Sequence, residues 1–379
     1  MIEPKRFHAL LEEAGIKFYT GVPDSLLNDF CLYLSNNMSK DQHIIAANEG
    51  NAIAIAAGYY LATGTVPLVY MQNSGIGNSL NPLISLTNKE TYEIPIVLLI
   101  GWRGSPDIDD WSHHKKQGEQ TTILMEALDI PYRILEGDGD KVFDLVKWAT
   151  ETALQQSCPT AILVKKGVLA KDKKENLLLQ ESVYSMSREN AIECIINLLP
   201  QDTIFVVTTG RATREIFEIR NKYGKGHECD FLNVGAMGHA SSIALGLSVG
   251  NKNRLVVCLD GDASAIMHLG SFITAGTSGQ SNLLHIVLNN GAHESVGGQP
   301  SAGYKVNFTG MAENAGYKTV GHAVKDREGL EKAVEKLMEA NGPAFIDMRI
   351  RKGIREDIPN LNVLLSDAKK QLMEELKSN

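Results

Sequence analysis

Apolar residues in this chain come in short runs separated by more polar, helix-compatible stretches. Residues 66–71, 94–100 and 161–164 are such runs in the first half, with shorter ones at 17–19 and 44–46. A second series occupies 203–208, 230–233, 255–259, 283–288 and 344–348, led by a helical pattern at 188–199. Strand-like runs alternating with helical segments mark a doubly wound sheet. The pattern therefore predicts an α/β protein built from two doubly wound parallel-sheet domains, 1–166 and 188–379. Between them, Gly167-Val168-Leu169-Ala170 and the charged stretch that includes Lys171-Asp172-Lys173-Lys174 read as a surface linker over 167–187.

Length and charge narrow the function classes. At 379 residues the chain is long enough for two separate cores. Its net charge of −8 gives no electrostatic footprint for nucleic acid, so an anionic substrate must be held by a local cluster of cations or N–H groups. Five cysteines, an odd number without a Cys-x-x-Cys pair, argue against a disulfide framework and a zinc site. No apolar run reaches the ~18 residues of a membrane span, and Met1-Ile2-Glu3-Pro4-Lys5 lacks the layout of a signal peptide. These features lead us to expect a cytoplasmic protein with no membrane or nucleic-acid partner.

The sharpest chemistry lies at the ends of two apolar runs. Gly261-Asp262-Ala263 follows the run 255–259 and Asn289-Asn290 ends the run 283–288, with a helix expected at 264–275 between them. In an open parallel sheet, ligands gather beyond the carboxyl ends of the strands, so the Asp262 carboxylate can face the Asn290 amide oxygen. Hard oxygen donors of this kind suit Mg²⁺, whose octahedral shell often includes substrate phosphates; a main-chain carbonyl such as that of Ala292 would complete the protein's share. Gly261 and Ala263 leave room for a diphosphate against the backbone. Taken singly, Asp262 also fits a helix cap, and Asn289-Asn290-Gly291 a turn.

Glu49 heads a second notable segment, 49–64, which carries no further charge. A helix apolar on nearly every face is buried, which would put this carboxylate at the mouth of a buried interface. A glutamate there equally complements the helix N-terminus, an effect of about 0.3–1 kcal/mol.

The spacing of 28 residues from Asp262 to Asn290 resembles the Gly-Asp-Gly to Asn-Asn signature of thiamine-diphosphate enzymes, with Ala263 in place of the last glycine. The Glu49 segment is similar to the glutamate-bearing helix of the pyrimidine-binding domain in thiamine-diphosphate decarboxylases. Gly235-Ala236-Met237-Gly238 resembles the family's glycine-rich element, in which a bulky apolar residue props the cofactor into a bent shape. Gly21-Val22-Pro23-Asp24-Ser25 and Ser112-His113-His114-Lys115-Lys116-Gln117-Gly118 resemble the Asp and paired-His elements of 2-oxo-acid decarboxylases. The linker is too short for the third, central domain of the larger members. Gly101-Trp102-Arg103-Gly104-Ser105-Pro106 and His293-Glu294-Ser295-Val296-Gly297-Gly298-Gln299-Pro300 look like the short decarboxylases of phosphonopyruvate, with the sulfopyruvate enzymes nearest to them.

The resemblance implies bound thiamine diphosphate and Mg²⁺, and decarboxylation of 3-phosphonopyruvate to phosphonoacetaldehyde. It implies that Glu49 hydrogen-bonds the pyrimidine, that Gly235, Met237, Gly261, Asp262, Ala263, Ser264 and Asn290 hold the cofactor, and that Asp262, Asn290 and Ala292 hold the metal. Asp24, His113 and His114 would relay a proton. Ser25, Arg103, Lys115, Glu294, Gly297 and Gly298 would meet a small anionic 2-oxo acid, the last two as a nest of N–H groups. A homo-oligomer, at least a dimer, is also implied, with Glu49 and Asp262 of one site on different subunits. Sulfopyruvate is the alternative substrate. An acetolactate-synthase-like carboligase would share the cofactor residues, whereas a non-catalytic binding protein would need neither Glu49 nor the Asp262 and Asn290 pair.

Overall fold

The computed structural model describes residues 1–136, 140–171, 183–353, 355 and 357–377. Of the expected linker, residues 172–182 lie outside the described residues. The chain divides into two compact units, Met1–Leu178 with Val296–Gln299, and Leu179–Ser295 with Pro300–Asn379. The short segment 296–299, expected with the second half, thus groups with the first.

The first unit is built on six strands, β1 (Tyr19–Gly21), β2 (His43–Ile45), β3 (Leu68–Gln72), β4 (Val97–Gly101), β5 (Tyr132–Leu135) and β6 (Thr160–Val164). They pair in the order β2-β1-β3-β4-β6-β5, all parallel. Alternate residues of the inner strands feed two different cores. Leu68, Tyr70, Val97, Leu99, Ile162 and Val164 belong to one, while Val69, Met71, Leu98, Ile100, Ala161 and Leu163 belong to the other. Burial on both faces is why these strands read as continuous apolar runs. Strand β5 was not expected from the pattern. It lies at the sheet edge, and only Leu135 of its four residues is buried, so it leaves no apolar run to read.

The second unit repeats the scheme with β7 (Ile204–Val207), β8 (Asp230–Leu232), β9 (Val256–Gly261) and β10 (Leu283–Asn289); two-residue strands β11 (Ala292–His293) and β12 (Gln299–Pro300) precede β13 (Ala344–Arg349) in sequence. The order is β13-β10-β9-β7-β8, again parallel throughout. Val257, Leu259, Leu284, Ile286 and Ile346 face one core, and Val256, Cys258, Leu283, Val287 and Phe345 the other. The expected α/β class with two doubly wound parallel sheets is what the chain forms.

Strand order locates the ligand crevices. In the first sheet β1 runs to β2 on one side and the chain then crosses to β3 on the other, so the loops after β1 and β3 part from each other at their carboxyl ends. The second sheet reverses in the same way between β7 and β9, which puts the loop carrying Asp262 at its switch point.

Two helices depart from the sequence pattern. The segment 264–275 is not one helix but two, Asp262–Met267 and Gly270–Gly276, broken at His268, which leaves helical geometry (φ −129°, ψ 53°) where its ring meets Gly238. Helix Glu49–Thr63 begins behind Asn48, whose side chain accepts from the Asn51 N–H, and stops at Gly64 in the left-handed region. It buries Glu49, Ala52, Ile53, Ala56 and Ala57, but Leu61 is 71% exposed, so within one chain the helix is buried on one side and not all round. Among the described residues, no helix is long and apolar enough to cross a membrane.

One backbone contact in the first unit sets where helix Ser112–Ala127 lies. Gly118 packs directly on the carbonyl of Gly104, and the Trp102 indole N–H donates to the Gly118 carbonyl at 2.9 Å. A Cβ at 118 has backbone in its way, which cannot swing aside as a side chain would. We expect Gly118→Ala to lower stability by about 2 kcal/mol or more in urea unfolding. Gly246→Ala, in an exposed helical position with nothing near its Cβ, should instead gain up to about 1 kcal/mol.

Candidate active site

In the first unit, Glu49 is 5% exposed at the first turn of its helix. Its carboxylate lies against the Cα of Gly75, where only a glycine leaves room. Asn78 donates its side-chain N–H to Glu49 Oε2 at 2.7 Å. Asn48, not Glu49, supplies the helix cap, so the carboxylate is not consumed in local backbone bonding. Gly75 and Asn78 carried no signal in the sequence beyond lying after a strand.

The loops after β1 and β4 gather a second group in the same unit. Asp24 is fully buried with its carboxylate pressed on the Cα of Gly101; Oδ2 accepts from Leu26 N at 3.0 Å and Leu27 N at 3.3 Å, and Oδ1 has no partner among the described residues. Burial pushes its carboxyl up to about 6, against the partial relief of those amides and of Arg103. Arg103 Nη1 donates to Ser25 Oγ at 2.8 Å, while Nε and Nη2 form a fork on Asp110 at 2.7 and 2.6 Å. Burial raises the Asp110 carboxyl too, but the Arg103 guanidinium and the Trp111 and Gly104 amides outweigh it and hold it well below the usual carboxylate range. Helix Ser112–Ala127 begins beside this cluster, and the His113 and His114 rings lie 4.1 Å apart. Burial first, then Arg103 and His113, push His114 down to about 4, so it is neutral near pH 7.

The structure thus collects Asp24, Ser25, Arg103 and His114, and adds Asp110, which sequence reasoning missed. Arg103 is not the free cation expected, because Asp110 offsets its charge. The Lys115 side chain is 61% exposed and, among the described residues, pairs with the exposed Asp109 at 3.3 Å, a pairing of little energetic weight. Gly297 packs its Cα on the Asn28 side-chain oxygen within the first unit, and Gly297 and Gly298 both have positive φ (117° and 81°), which only glycine adopts readily.

In the second unit the switch point is occupied by Asp262. It is 2% exposed, at the first position of its short helix behind Gly261. Burial pushes its carboxyl up to about 6; the Ser301 hydroxyl and the Asn290 and Ala263 backbone N–H groups relieve part of the cost, and no cation among the described residues does. Asn290 therefore reaches Asp262 through its backbone N–H. Ser264 joins the neighbouring elements: its hydroxyl accepts from Gly238 N at 3.0 Å and from Thr208 Oγ1 at 3.0 Å, tying the Gly235–Gly238 turn and the end of β7 to the Asp262 loop. Met237 is half-buried in that turn, after Ala236 at φ 49°. A buried carboxylate with no ion pair among the described residues, set among backbone N–H groups and small residues, fits a site for Mg²⁺ and a diphosphate.

Below it, Asn289 serves structure instead of ligation. Its Nδ2 donates to the Gly303 carbonyl at 2.9 Å and to Asp347 Oδ1 at 3.1 Å, and Arg349 binds both Asp347 and the Gly303 carbonyl. These bonds hold the loop that brings Ser301 and Gly303 onto Asp262. Asn290 Oδ1 accepts from Ala292 N at 3.1 Å, and its Nδ2 donates to Glu294 Oε2 at 3.0 Å. Glu294 also takes Arg188 Nη1 at 2.7 Å and the Gly353 N–H. Expected at the substrate, it has both oxygens engaged inside its own unit.

The contrast between Asp24 and its neighbours gives a pH signature. Its folded pKa of about 6 exceeds the ordinary 3.8, so the penalty for ionising it is absent below about 3.8, builds as pH rises toward 6 and is complete above it. Asp24→Asn should therefore unfold later than the parent at about pH 8, by about 2–3 kcal/mol, and show no advantage near pH 4. Thermal unfolding at the two pH values measures the difference, and an advantage equal at both would refute the ionisation argument.

Known proteins agree with this geometry. Residues 5–125 match the N-terminal TPP binding domain of thiamine pyrophosphate enzymes, and residues 209–348 match their C-terminal TPP binding domain. The phosphonopyruvate decarboxylase of Streptomyces viridochromogenes is 30% identical over 355 residues, 89% of this chain and 86% of that protein. That of Streptomyces hygroscopicus is 31% identical over 369 residues, covering 93% and 88%. The sulfopyruvate decarboxylase of Methanosarcina acetivorans is 26% identical over 388 residues, covering 97% and 96%. The chain belongs to the thiamine pyrophosphate enzymes, within the family of the phosphonopyruvate decarboxylases, and is a carboxy-lyase.

Proposed function

We propose that this decarboxylase acts on 3-phosphonopyruvate with Mg²⁺ and releases CO2 and phosphonoacetaldehyde. The observation that carries the choice is the half-buried Arg103, fixed by Asp110 and Ser25 beside the buried Asp24. Such a guanidinium is already oriented when an anionic head group arrives, so little ordering entropy remains to be lost. A doubly charged phosphonate offers the guanidinium more charge and more acceptor oxygens than a singly charged sulfonate, and pyruvate has no head group to engage it. Gly297 and Gly298 would add backbone N–H groups.

Thiamine diphosphate, when bound, supplies a carbon nucleophile and an acceptor for the electron pair left as CO2 departs. Asp262, Asn290 and the Ala292 carbonyl would hold the cation, with Gly261, Ala263, Ser264 and Gly235 against the diphosphate and Met237 under the bend. Glu49, oriented by Asn78, would hold a proton at a pyrimidine nitrogen. Asp24, poised near neutrality, would deliver a proton at the former keto carbon, with neutral His114 and its neighbour His113 as hydrogen-bond partners. The exposed apolar residues of helix Glu49–Thr63, Ala54 and Leu61, support a homo-oligomer of at least two chains, with Glu49 of one protomer serving the cofactor held by its partner.

Two variants separate holding from chemistry. Asp262→Ala should abolish Mg²⁺-dependent cofactor binding in calorimetry. Glu49→Gln should bind within about threefold of the parent yet turn over roughly 10²-fold more slowly. Wild-type turnover by Glu49→Gln would remove its assigned role.

A substrate panel tests the head group. With aldehyde detection, phosphonopyruvate should give a higher kcat/KM than sulfopyruvate or pyruvate, and pyruvate should lose kcat as well as affinity. Arg103→Ala, made together with Asp110→Asn so that no lone carboxylate remains, should narrow the gap between phosphonopyruvate and pyruvate by roughly 1.5–3 kcal/mol. A higher kcat/KM with sulfopyruvate would reassign the substrate; an acyloin product would reassign the reaction.

A further inference from the structure

We propose that Glu294 is a positioning residue that fixes which edge of the Asn290 amide faces the divalent cation. This rests on the reading that Asn290 Oδ1 is a cation ligand. A carboxamide has two nearly isosteric edges, an oxygen that attracts a cation and an NH2 that repels one, and a free Asn can present either. Here the carboxylate of Glu294 accepts from Asn290 Nδ2 at 3.0 Å, an arrangement open only to the NH2 edge. The oxygen is thereby left on the opposite edge, where it takes the Ala292 N–H at 3.1 Å and keeps a second lone pair.

Glu294 is itself held by a buried chain of charge. Arg188, with 10% side-chain exposure, binds Glu294 Oε2 through Nη1 at 2.7 Å and clamps Glu215 through Nε and Nη2 at 2.6 and 2.9 Å. The Gly353 N–H takes the other Glu294 oxygen. Glu294 is thereby committed on both oxygens and is not a substrate contact. Removing it leaves Arg188 fully paired with Glu215, so the fold should tolerate the change.

Binding of Mn²⁺ in the presence of thiamine diphosphate, followed by loss of its free-ion electron paramagnetic resonance signal, tests this on the full chain. Glu294→Ala should weaken Mn²⁺ binding about tenfold, as loss of a partner behind a metal ligand generally does. Glu294→Gln, whose carbonyl can still accept from Asn290 Nδ2, should stay within about threefold of the parent. In an Asn290→Asp background both edges are oxygens and Glu294 repels its neighbour, so adding Glu294→Ala should strengthen Mn²⁺ binding. This change of sign is what a merely structural role cannot produce. Equal weakening in both backgrounds, or parental affinity in Glu294→Ala, would overturn the inference. A parent that binds no Mn²⁺ with the cofactor would overturn the cation reading of Asn290 itself.

Discussion

The constraint on which the second unit depends is the burial of one ionisable carboxylate, Asp262, at the carboxyl end of β9 with no cation among the described residues to offset it. A carboxyl held up at about 6 is a standing cost near neutral pH. Around it the chain supplies partial relief: the Ser301 hydroxyl and backbone amides. The segments that bring those groups in are tied down by further hydrogen bonds. The Asn289, Asp347 and Arg349 bonds pin the 301–306 loop from below, and Ser264 ties the Asp262 helix to the ends of β7 and to Gly238. A divalent cation would convert the remaining cost into binding energy, which is the physical sense of placing an unpaired carboxylate at a switch point.

The first unit solves a different problem with close backbone approach. Glu49 rests on Gly75, Asp24 on Gly101 and helix Ser112–Ala127 on Gly104. In each case a polar group is brought nearer to the backbone of the adjoining strand-end loop than any side chain would allow. The result is that carboxylates from separate elements lie at the end of one parallel sheet.

How much of this was legible in the sequence follows from where each signal lives. The strands buried on both faces were readable because burial leaves a run of apolar residues; edge strand β5, with three of its four residues not buried, left none. Asp262 and Asn290 were readable because both follow such runs directly. Their fixed partners were not: Ser301, Asp347, Arg349, Arg188 and Glu215 lie far away in sequence, and a charged residue paired in the interior has the same letter as one in solvent. Asp110 was missed for this reason. Arg103 was singled out as a substrate cation, but its fork on Asp110 was invisible. The break at His268 depends on a contact with Gly238 that no local pattern encodes.

Around Arg103, one guanidinium separates two buried carboxyl groups into opposite roles. Asp110 receives the fork and two amides, so it stays ionised and serves as an orienting anchor. Asp24 receives two amides but no fork, and its Oδ1 is left without a partner, so burial dominates and its proton is held to about pH 6. His114, expected with His113 and Asp24 in a proton relay, is driven to about 4 by burial and by the same Arg103, and so carries no extra proton near neutrality. Carboxyl groups whose environments push their pKa values apart are the usual means of assigning acid and base within one pocket. Of these groups, Asp24 is the one whose carboxyl is raised toward neutrality. The paired histidines, the more conspicuous feature in the sequence, pack on each other, and His114 is held neutral.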